Sequence, residues 1–158
     1  MDDRYDDGPI YLSGITERDF RSFLSVIYPI DRHNPLAYED WKSVLRLSTL
    51  WKFDQIRDKA INWLSSAIIY KDWAERIKTA KEFNITIWLR DAYVDLVQKN
   101  TLSYEDLTSG EYSLEWDTVA KIFFIRAQVL SSGQGVKENM KSWKVARALV
   151  NEHLLNNS

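Results

Sequence analysis

The fold is decided by one stretch, residues 41–64, which reads WKSVLRLSTLWKFDQIRDKAINWL. In its first half, apolar residues recur three and four positions apart, which predicts a helix from about 37 to 50. Residues 52–54 form a corner, and Asp54 is the predicted N-cap of a second helix that continues to about Tyr70. The stretch therefore predicts a helical hairpin.

The same arrangement recurs at an offset of 32 residues. Each copy contains the end of one helix, an aromatic-x-apolar corner, and a second helix whose small residue permits close packing. Two stacked helical hairpins would produce this echo, although any two capped amphipathic helix pairs can align to a similar degree. The matching positions are Ser48 and Ala80, Trp51 and Phe83, Phe53 and Ile85, Ile56 and Trp88, Ala60 and Ala92, and Leu64 and Leu96.

Capping signals predict the remaining helices. Thr86 and Ser113 are predicted N-caps, and a linker at 131–135 precedes a final helix. Three further helix starts combine an N-cap with an acidic residue three positions later: Thr16 with Asp19, Asp72 with Glu75, and Ser103 with Asp106. The helix after Ser113 is predicted to face inward with Val119, Ala120, Phe123, Phe124, Ala127 and Leu130.

These elements predict an all-α fold, an array of stacked helical hairpins. We expect about seven to eight helices. The short extended piece 9–14 allows at most one vestigial strand near the N-terminus.

Composition limits the classes of function. The chain has 158 residues, of which 45% are apolar and 28% charged, with a formal net charge of −2. It contains no cysteine, which excludes disulfides, cysteine-based zinc fingers and iron–sulfur clusters. The acidic N-terminus has no apolar h-region, and no window approaches the roughly 18 apolar residues of a membrane span. We therefore expect an intracellular protein, cytoplasmic or nuclear, without a membrane partner.

Few residues suit catalysis. The two histidines are His33, in a proline-flanked polar loop, and His153, near the end of the last helix, where it can complement the helix dipole. The HExxH pattern is absent, and the glycines of 131–135 lack the spacing of a phosphate-binding loop. We expect no catalytic residue, no metal ligand and no cofactor, and hence a protein that is not an enzyme.

A basic stripe lies along the predicted C-terminal helix, at Lys137, Lys141, Lys144 and Arg147. One interpretation is a solvated face on a helix that docks its apolar side on the core. Another is contact with phosphates or an acidic partner. Because the rest of the chain builds no basic surface around the stripe, a nucleic-acid partner is not expected.

The aromatic residues are divided between core and surface. Leu50 and Trp51 extend the buried face of the first hairpin helix, and Trp88 lies on an apolar stripe, so these are predicted core. The better candidates for exposed anchors are Trp63, Trp116, Tyr38 and Tyr70, since Trp and Tyr are enriched at interface hot spots.

Three stretches resemble fungal, mushroom-type BTB/POZ proteins. PIYLSGITERDFRSFLSVIYP, residues 9–29, is similar to a family strand "I-x-L-x-G-V-T" followed by "F-x-x-L-L-x-V-L-Y-P". WKSVLRLSTLWKF, residues 41–53, resembles "W-x-S-V-L-x-L-A-T-M-W-x-F". RIKTAKEFNITIWLRDAYVDL, residues 76–96, resembles "K-I-x-L-A-R-x-Y-x-V-x-x-W-L-x-x-A-Y-x-x-L". The likeness covers roughly 9–128.

The resemblance implies a domain plan. Residues 1–8 would be an acidic tail, 9–70 the C-terminal half of a BTB-like fold, 71–132 a BACK-like helical extension, and 133–158 a C-terminal helix. The family's N-terminal sheet, which provides most of its homodimer interface, has no counterpart in this sequence. Familiar BTB dimerisation is therefore not expected.

The resemblance also implies a non-catalytic adaptor for ubiquitin-ligase or transcription-regulatory scaffolding. The partner would be a cullin-type scaffold or another BTB chain. The predicted partner-binding residues are Tyr28, Asp31, Arg32, His33, Tyr38, Glu39 and Trp63. An apolar surface around Ile10, Leu12, Phe20 and Phe23 is predicted to be covered by the C-terminal helix or by another chain.

Two other functions stay open. The 32-residue echo suggests a free-standing α-solenoid scaffold of the tetratricopeptide kind, although the W-x-x-L-G-x-x-Y pattern is absent. The basic stripe suggests a nucleic-acid-binding helical domain, for which affinity would fall steeply with salt.

Overall fold

The computed structural model describes residues 11–29, 35–110, 112–131 and 140–156, and gives only the backbone of 140 and 141. These residues form eight α-helices and a terminal π-helical turn, with no β-strand among them, which confirms the predicted all-α class. Tyr11 and Leu12 are irregular, and the rest of the candidate strand at 9–10 lies outside the described residues. The helices are α1 (Glu17–Ile27), α2 (Tyr38–Leu50), α3 (Asp54–Ile68), α4 (Trp73–Glu82), α5 (Thr86–Gln98), α6 (Tyr104–Thr108), α7 (Trp116–Ser131) and α8 (Met140–Val150), followed by the π-helical turn Asn151–Leu155.

The chain divides into two compact units, Met1–Leu64 and Ser65–Ser158. In the first unit α1 packs along α2. The ring of Phe23, which is 2% exposed, meets the rings of Trp51 and Phe53 with centroids 5.0 and 5.5 Å apart. Aromatic packing therefore joins α1 to the corner between α2 and α3.

The other end of the first hairpin is bridged by two indoles. Trp41 on α2 and Trp63 on α3 stack with their ring centroids 5.4 Å apart. The backbones of α2 and α3 make few close approaches, so these large side chains span the gap between the two helices.

The second unit has a larger apolar core. In it α4 packs along α5, and α5 also contacts α7 and α8. The buried side chains of the cluster are Ile77, Ala92, Tyr93, Val94, Leu96, Val97, Leu107, Leu114, Val119, Ile122, Ile125, Val129, Ala146 and Val150.

The corner of the first hairpin is a Schellman motif. Lys52 has a left-handed backbone with φ 60°. Its N–H donates to the Thr49 carbonyl at 3.4 Å, and the Phe53 N–H donates to the Ser48 carbonyl at 2.8 Å. These bonds satisfy carbonyls that the end of α2 would otherwise leave unpaired.

The corner of the second hairpin repeats this geometry at the predicted offset. Asn84 has φ 53°, and its N–H donates to the Lys81 carbonyl at 3.3 Å. The Ile85 N–H donates to the Ala80 carbonyl at 2.8 Å. The echo in the sequence therefore corresponds to a repeated backbone structure at the two corners.

Two of the predicted caps in these hairpins are wrong by one residue. Asp54 and Thr86 are the first residues of α3 and α5, not the N-caps. Ile85 is the N-cap of α5 and makes no side-chain capping bond. The reason is that the last residue of each Schellman corner is followed at once by the next helix.

The start of α7 was also predicted too early, at Ser113. The Leu114 N–H donates to the Leu107 carbonyl at 2.8 Å, which holds this part of the chain against α6. The helix begins at Trp116, where the Val119 N–H first reaches the Glu115 carbonyl.

The predicted inward face of α7 is largely wrong. Val119 is buried as predicted, but Ala120, Phe124, Ala127 and Leu130 are exposed. The buried residues are Val119, Ile122, Ile125 and Val129. Periodicity could not choose between the two faces because α7 carries apolar residues on both.

Arg126 joins α7 to the end of α5. Its guanidinium donates to the carbonyls of Val97 at 3.0 Å and Asn100 at 2.8 Å, and also to that of Lys99. A cation is favoured at the C-terminal end of a helix, where the carbonyls point outward.

Candidate protein-interaction surface

A buried carboxylate fixes α1 against α2. Asp19 accepts a hydrogen bond from the Ser43 hydroxyl at 2.5 Å and another from the Thr16 hydroxyl at 2.8 Å. Burial disfavours the charged form of Asp19, but the bonds from Ser43 and Thr16, together with the nearby Arg46 guanidinium, outweigh burial and hold its pKa below the usual value. The predicted capping box of α1 is therefore part of the contact between two helices.

A second carboxylate acts in the same contact. Asp40 accepts from the Ala37 N–H at 3.0 Å and from two nitrogens of Arg18 at 2.9 and 3.0 Å. Burial raises the pKa of Asp40, but the hydrogen bonds from Ala37 and Arg18 outweigh burial, so the pKa lies below its ordinary value. Together the two aspartates give α1 a fixed position on α2.

This fixed contact presents apolar side chains to solvent around the α2–α3 corner. Tyr28 is 64% exposed, Leu50 60% and Phe53 46%. Phe53 lines an open groove of about 490 Å³ together with Ile27, Lys52, Asp54, Gln55 and Ile56. Tyr28 and Leu50 are close in sequence to the groove residues Ile27 and Lys52. We refer to Tyr28, Leu50, Phe53 and the groove as the corner surface.

The corner surface combines an apolar floor with a charged edge. Ile27, Phe53 and Ile56 supply the apolar lining, and Lys52 and Asp54 supply one positive and one negative group. Exposed apolar groups beside a polar edge are typical of protein-binding surfaces.

Several predicted partner-binding residues lie in the first unit. Tyr28 and Glu39 are exposed. Tyr38 is half-buried, with the Lys42 ammonium 5.7 Å from its ring centroid. Trp63 is partly exposed and stacks on Trp41. Asp31, Arg32 and His33 lie outside the described residues.

The predicted apolar surface near the N-terminus is partly wrong. Leu12 and Phe20 are exposed, but Phe23 is buried because Trp51 and Phe53 close around it. Ile10 lies outside the described residues.

Sequence reasoning missed Leu50 and Phe53 as surface residues. Leu50 was predicted to be core, and the structure exposes it. The signal that could have shown this is the echo itself, since the position equivalent to Leu50 is Glu82 in the second hairpin. A charged residue there indicates that this side of the helix end faces water.

Of the two tryptophans predicted to be core, Trp88 is buried and donates from Nε1 to the Ser65 hydroxyl at 2.9 Å, whereas Trp51 is only half-buried. The predicted anchors Trp116 and Tyr70 are exposed. The ring of Trp116 stacks on that of Tyr104, with centroids 4.6 Å apart.

The basic stripe is described only in part. Lys144 is exposed, and the Arg147 guanidinium lies over the Trp143 ring, 4.8 Å from its centroid. Lys141 is described by its backbone alone, and Lys137 lies outside the described residues. A role of the stripe in binding stays a prediction.

Among the described residues, no three His, Asp or Glu side chains come together to hold a metal ion. None of the described helices is long and apolar enough to cross a bilayer. Comparisons with protein families, with curated proteins and with solved structures find no match.

Proposed function

We propose that the chain is a non-catalytic protein-interaction module that binds its partner through the corner surface. The observation that carries this proposal is the exposure of Tyr28, Leu50 and Phe53 around an open groove. The resemblance to BTB/POZ and BACK proteins supports an adaptor role. The identity of the partner as a cullin-type scaffold or another BTB chain rests on that resemblance alone.

The chemistry of the groove favours an amphipathic helix as the bound element. The apolar lining from Ile27, Phe53 and Ile56 can receive side chains spaced by three and four residues. Lys52 and Asp54 also line the groove and can pair with polar side chains of such a helix. Because the described residues contain no strand, they offer no sheet edge for an added strand.

The test compares capture of cellular proteins by the wild-type chain and by Leu50→Glu, which introduces the residue found at the equivalent position of the second hairpin. Because Leu50 is mostly exposed, the free energy of unfolding of the variant should lie within about 0.5 kcal/mol of the wild-type value. Each captured protein is then purified and titrated. We expect Leu50→Glu to weaken binding by about tenfold or more, since it places a charge in an apolar contact.

The matched control is Ile87→Glu, which changes an exposed apolar residue of the second unit. We expect it to bind as wild type does. The proposal is contradicted when every captured protein binds Leu50→Glu as tightly as the wild-type chain.

A further inference from the structure

Helix α7 has an outer apolar face that the described structure covers only in part, where Trp116 stacks on Tyr104 and Phe123 packs on the core. Its inner face contributes Val119, Ile122, Ile125 and Val129 to the core. On that outer face Trp116 is 71% exposed and Leu130 46%. An apolar face of a helix is normally buried against another element.

The outer face has the spacing of a helix–helix seam. Trp116, Ala120, Phe123, Ala127 and Leu130 follow one another at steps of four, three, four and three. This 3.5-residue period keeps one stripe of a helix facing a partner helix. Four of the five are exposed, and Phe123 is half-buried against the core cluster. We call these five residues the α7 seam.

Large and small side chains alternate along the α7 seam. Ala120 and Ala127 separate the three large residues Trp116, Phe123 and Leu130. Facing helices pack well when a large residue of one meets a small residue of the other. A surface with this alternation is complementary to a reversed copy of itself that is shifted by one layer.

The charged residues beside the seam already have partners within the chain. The Lys121 ammonium lies 2.6 Å from the Asp117 carboxylate. The Arg126 guanidinium is bound to the carbonyls at the end of α5. Both groups can therefore keep their partners within the chain when another helix covers the seam.

We propose that the α7 seam binds the α7 seam of a second copy of this chain, with the two helices antiparallel. A two-fold axis between Ala120 and Phe123 places Ala120 against Phe123 of the second copy. The same axis places Trp116 against Ala127 of the second copy, so each of these layers joins a large residue to a small one, and Leu130 lies beyond them, opposite residue 113 of the second copy. Such an interface is isologous and closes at two subunits.

The size of the seam predicts a weak dimer. A helix of 16 residues is about 24 Å long. One seam of that length covers less than the roughly 800 Å² that each partner contributes to a standard interface. We therefore expect a dissociation constant in the micromolar range.

The test measures the mass of the full chain by sedimentation equilibrium, from about 1 to 200 µM, a range that brackets micromolar affinity. The monomer has a mass of 18.6 kDa, and we expect the average mass to rise toward about twice that value. Ala120→Glu and Ala127→Glu should raise the dissociation constant by about tenfold or more, because each places a carboxylate against an aromatic ring. Both positions are exposed, and Glu is a good helix former, so the fold should be retained.

The matched control is Ala148→Glu, at an exposed alanine of α8 outside the seam, which should associate as wild type does. A wild-type chain that stays monomeric throughout the range overturns the proposal. A dimer that Ala127→Glu leaves unchanged also overturns it, because the contact then lies elsewhere. If the wild type is monomeric and Ala127→Glu alone lowers the melting temperature, the seam is covered by another segment of the same chain.

These outcomes are independent of the corner surface. Leu50→Glu tests binding in the first unit, while the seam variants change only α7 in the second. Either surface can therefore fail its test without affecting the other.

Discussion

The two hairpin corners share one backbone design and differ in their surroundings. Lys52 and Asn84 are both left-handed, and the same pair of hydrogen bonds closes each corner. Yet Phe53 is 46% exposed, while Ile85, at the equivalent position, is 7% exposed. The neighbouring elements of each unit therefore decide whether the corner belongs to the surface or to the core.

The difference separates local structure from burial. A Schellman motif forms from backbone bonds within a few residues and makes no demand on which side chain follows it. Burial at that position depends on what packs over the corner. The same motif can therefore lie at an exposed surface in one unit and in a core in the other.

The largest expected contrast comes from truncating the two equivalent side chains. Ile85→Ala should lower the free energy of unfolding by about 2–4 kcal/mol, because it leaves a cavity in a buried site. Phe53→Ala should cost about 1 kcal/mol, since about half of that residue is already in water and the buried part includes its contact with Phe23. Urea unfolding followed by circular dichroism, at one protein concentration, measures both values. Equal losses would show that the two corners are buried alike.

Alkaline pH should destabilise the second unit through Tyr93. Burial, with Tyr112 and Glu115 nearby, raises the pKa of Tyr93 to about 12. The raised pKa stabilises the folded chain fully at pH values below about 10, the pKa of tyrosine in the unfolded chain. This stabilisation is lost as the pH rises through the pKa of Tyr93 in the folded chain. By pH 11 the loss should reach about 1 kcal/mol relative to Tyr93→Phe, which cannot ionise. Urea unfolding of both proteins at pH 9 and pH 11 measures this difference, and a constant gap between them would contradict it.

Acid should instead destabilise the first unit. The pKa of Asp19 is lowered in the folded chain, so its contribution is present above the unfolded value of about 4 and is lost as pH falls through the folded one. Asp19→Asn should cost about 1 kcal/mol at pH 7 and less at pH 3. Asp58→Asn, at an exposed position of α3, is the control and should change little at either pH. If Asp19→Asn costs as much at pH 3 as at pH 7, the charge of Asp19 is not what stabilises the contact.

The smallest contrast concerns the left-handed residues themselves. Lys52→Gly should stabilise the chain by about 0.5–1 kcal/mol, because glycine adopts this conformation without steric cost. Asn84→Gly should gain only a few tenths of a kcal/mol, since asparagine already tolerates the left-handed region. Thermal unfolding of both variants and of the wild-type chain shows which substitution gives the larger gain in stability. A larger gain at Asn84 would show that side-chain contacts, and not the backbone, set the cost at these corners.

Local signals predicted local structure well. The capping boxes at Thr16 and Ser103 and the N-cap at Asp72 are confirmed, because each depends on groups only three residues apart. The repeat of the hairpin corner was visible for the same reason. These features need no information about the rest of the fold.

Features that depend on distant residues were not predictable. Nothing in the spacing of α1 and α2 indicates that Ser43 donates to Asp19, which is 24 residues away. The outward face of α7 was assigned to the core because both of its faces are apolar. For the candidate site, Tyr28 came from the sequence, whereas Leu50 was assigned to the core despite the charged Glu82 at its equivalent position, and Phe53 was recognised once its exposure was known.

Arg126 provides the second unit with a reversible, non-covalent cross-link in a chain that contains no cysteine. By binding the carbonyls of Val97 and Asn100 it closes a loop of 26 to 29 residues. A disulfide across such a loop would also restrict the unfolded chain and lower its conformational entropy. The hydrogen bonds of the guanidinium instead break on unfolding, so the unfolded chain keeps its full conformational entropy. The short helix α6 lies within this loop, so the Arg126 hydrogen bonds hold both ends of the segment that contains it in the folded chain. When α7 detaches these bonds break, and no redox reaction is needed to open the loop.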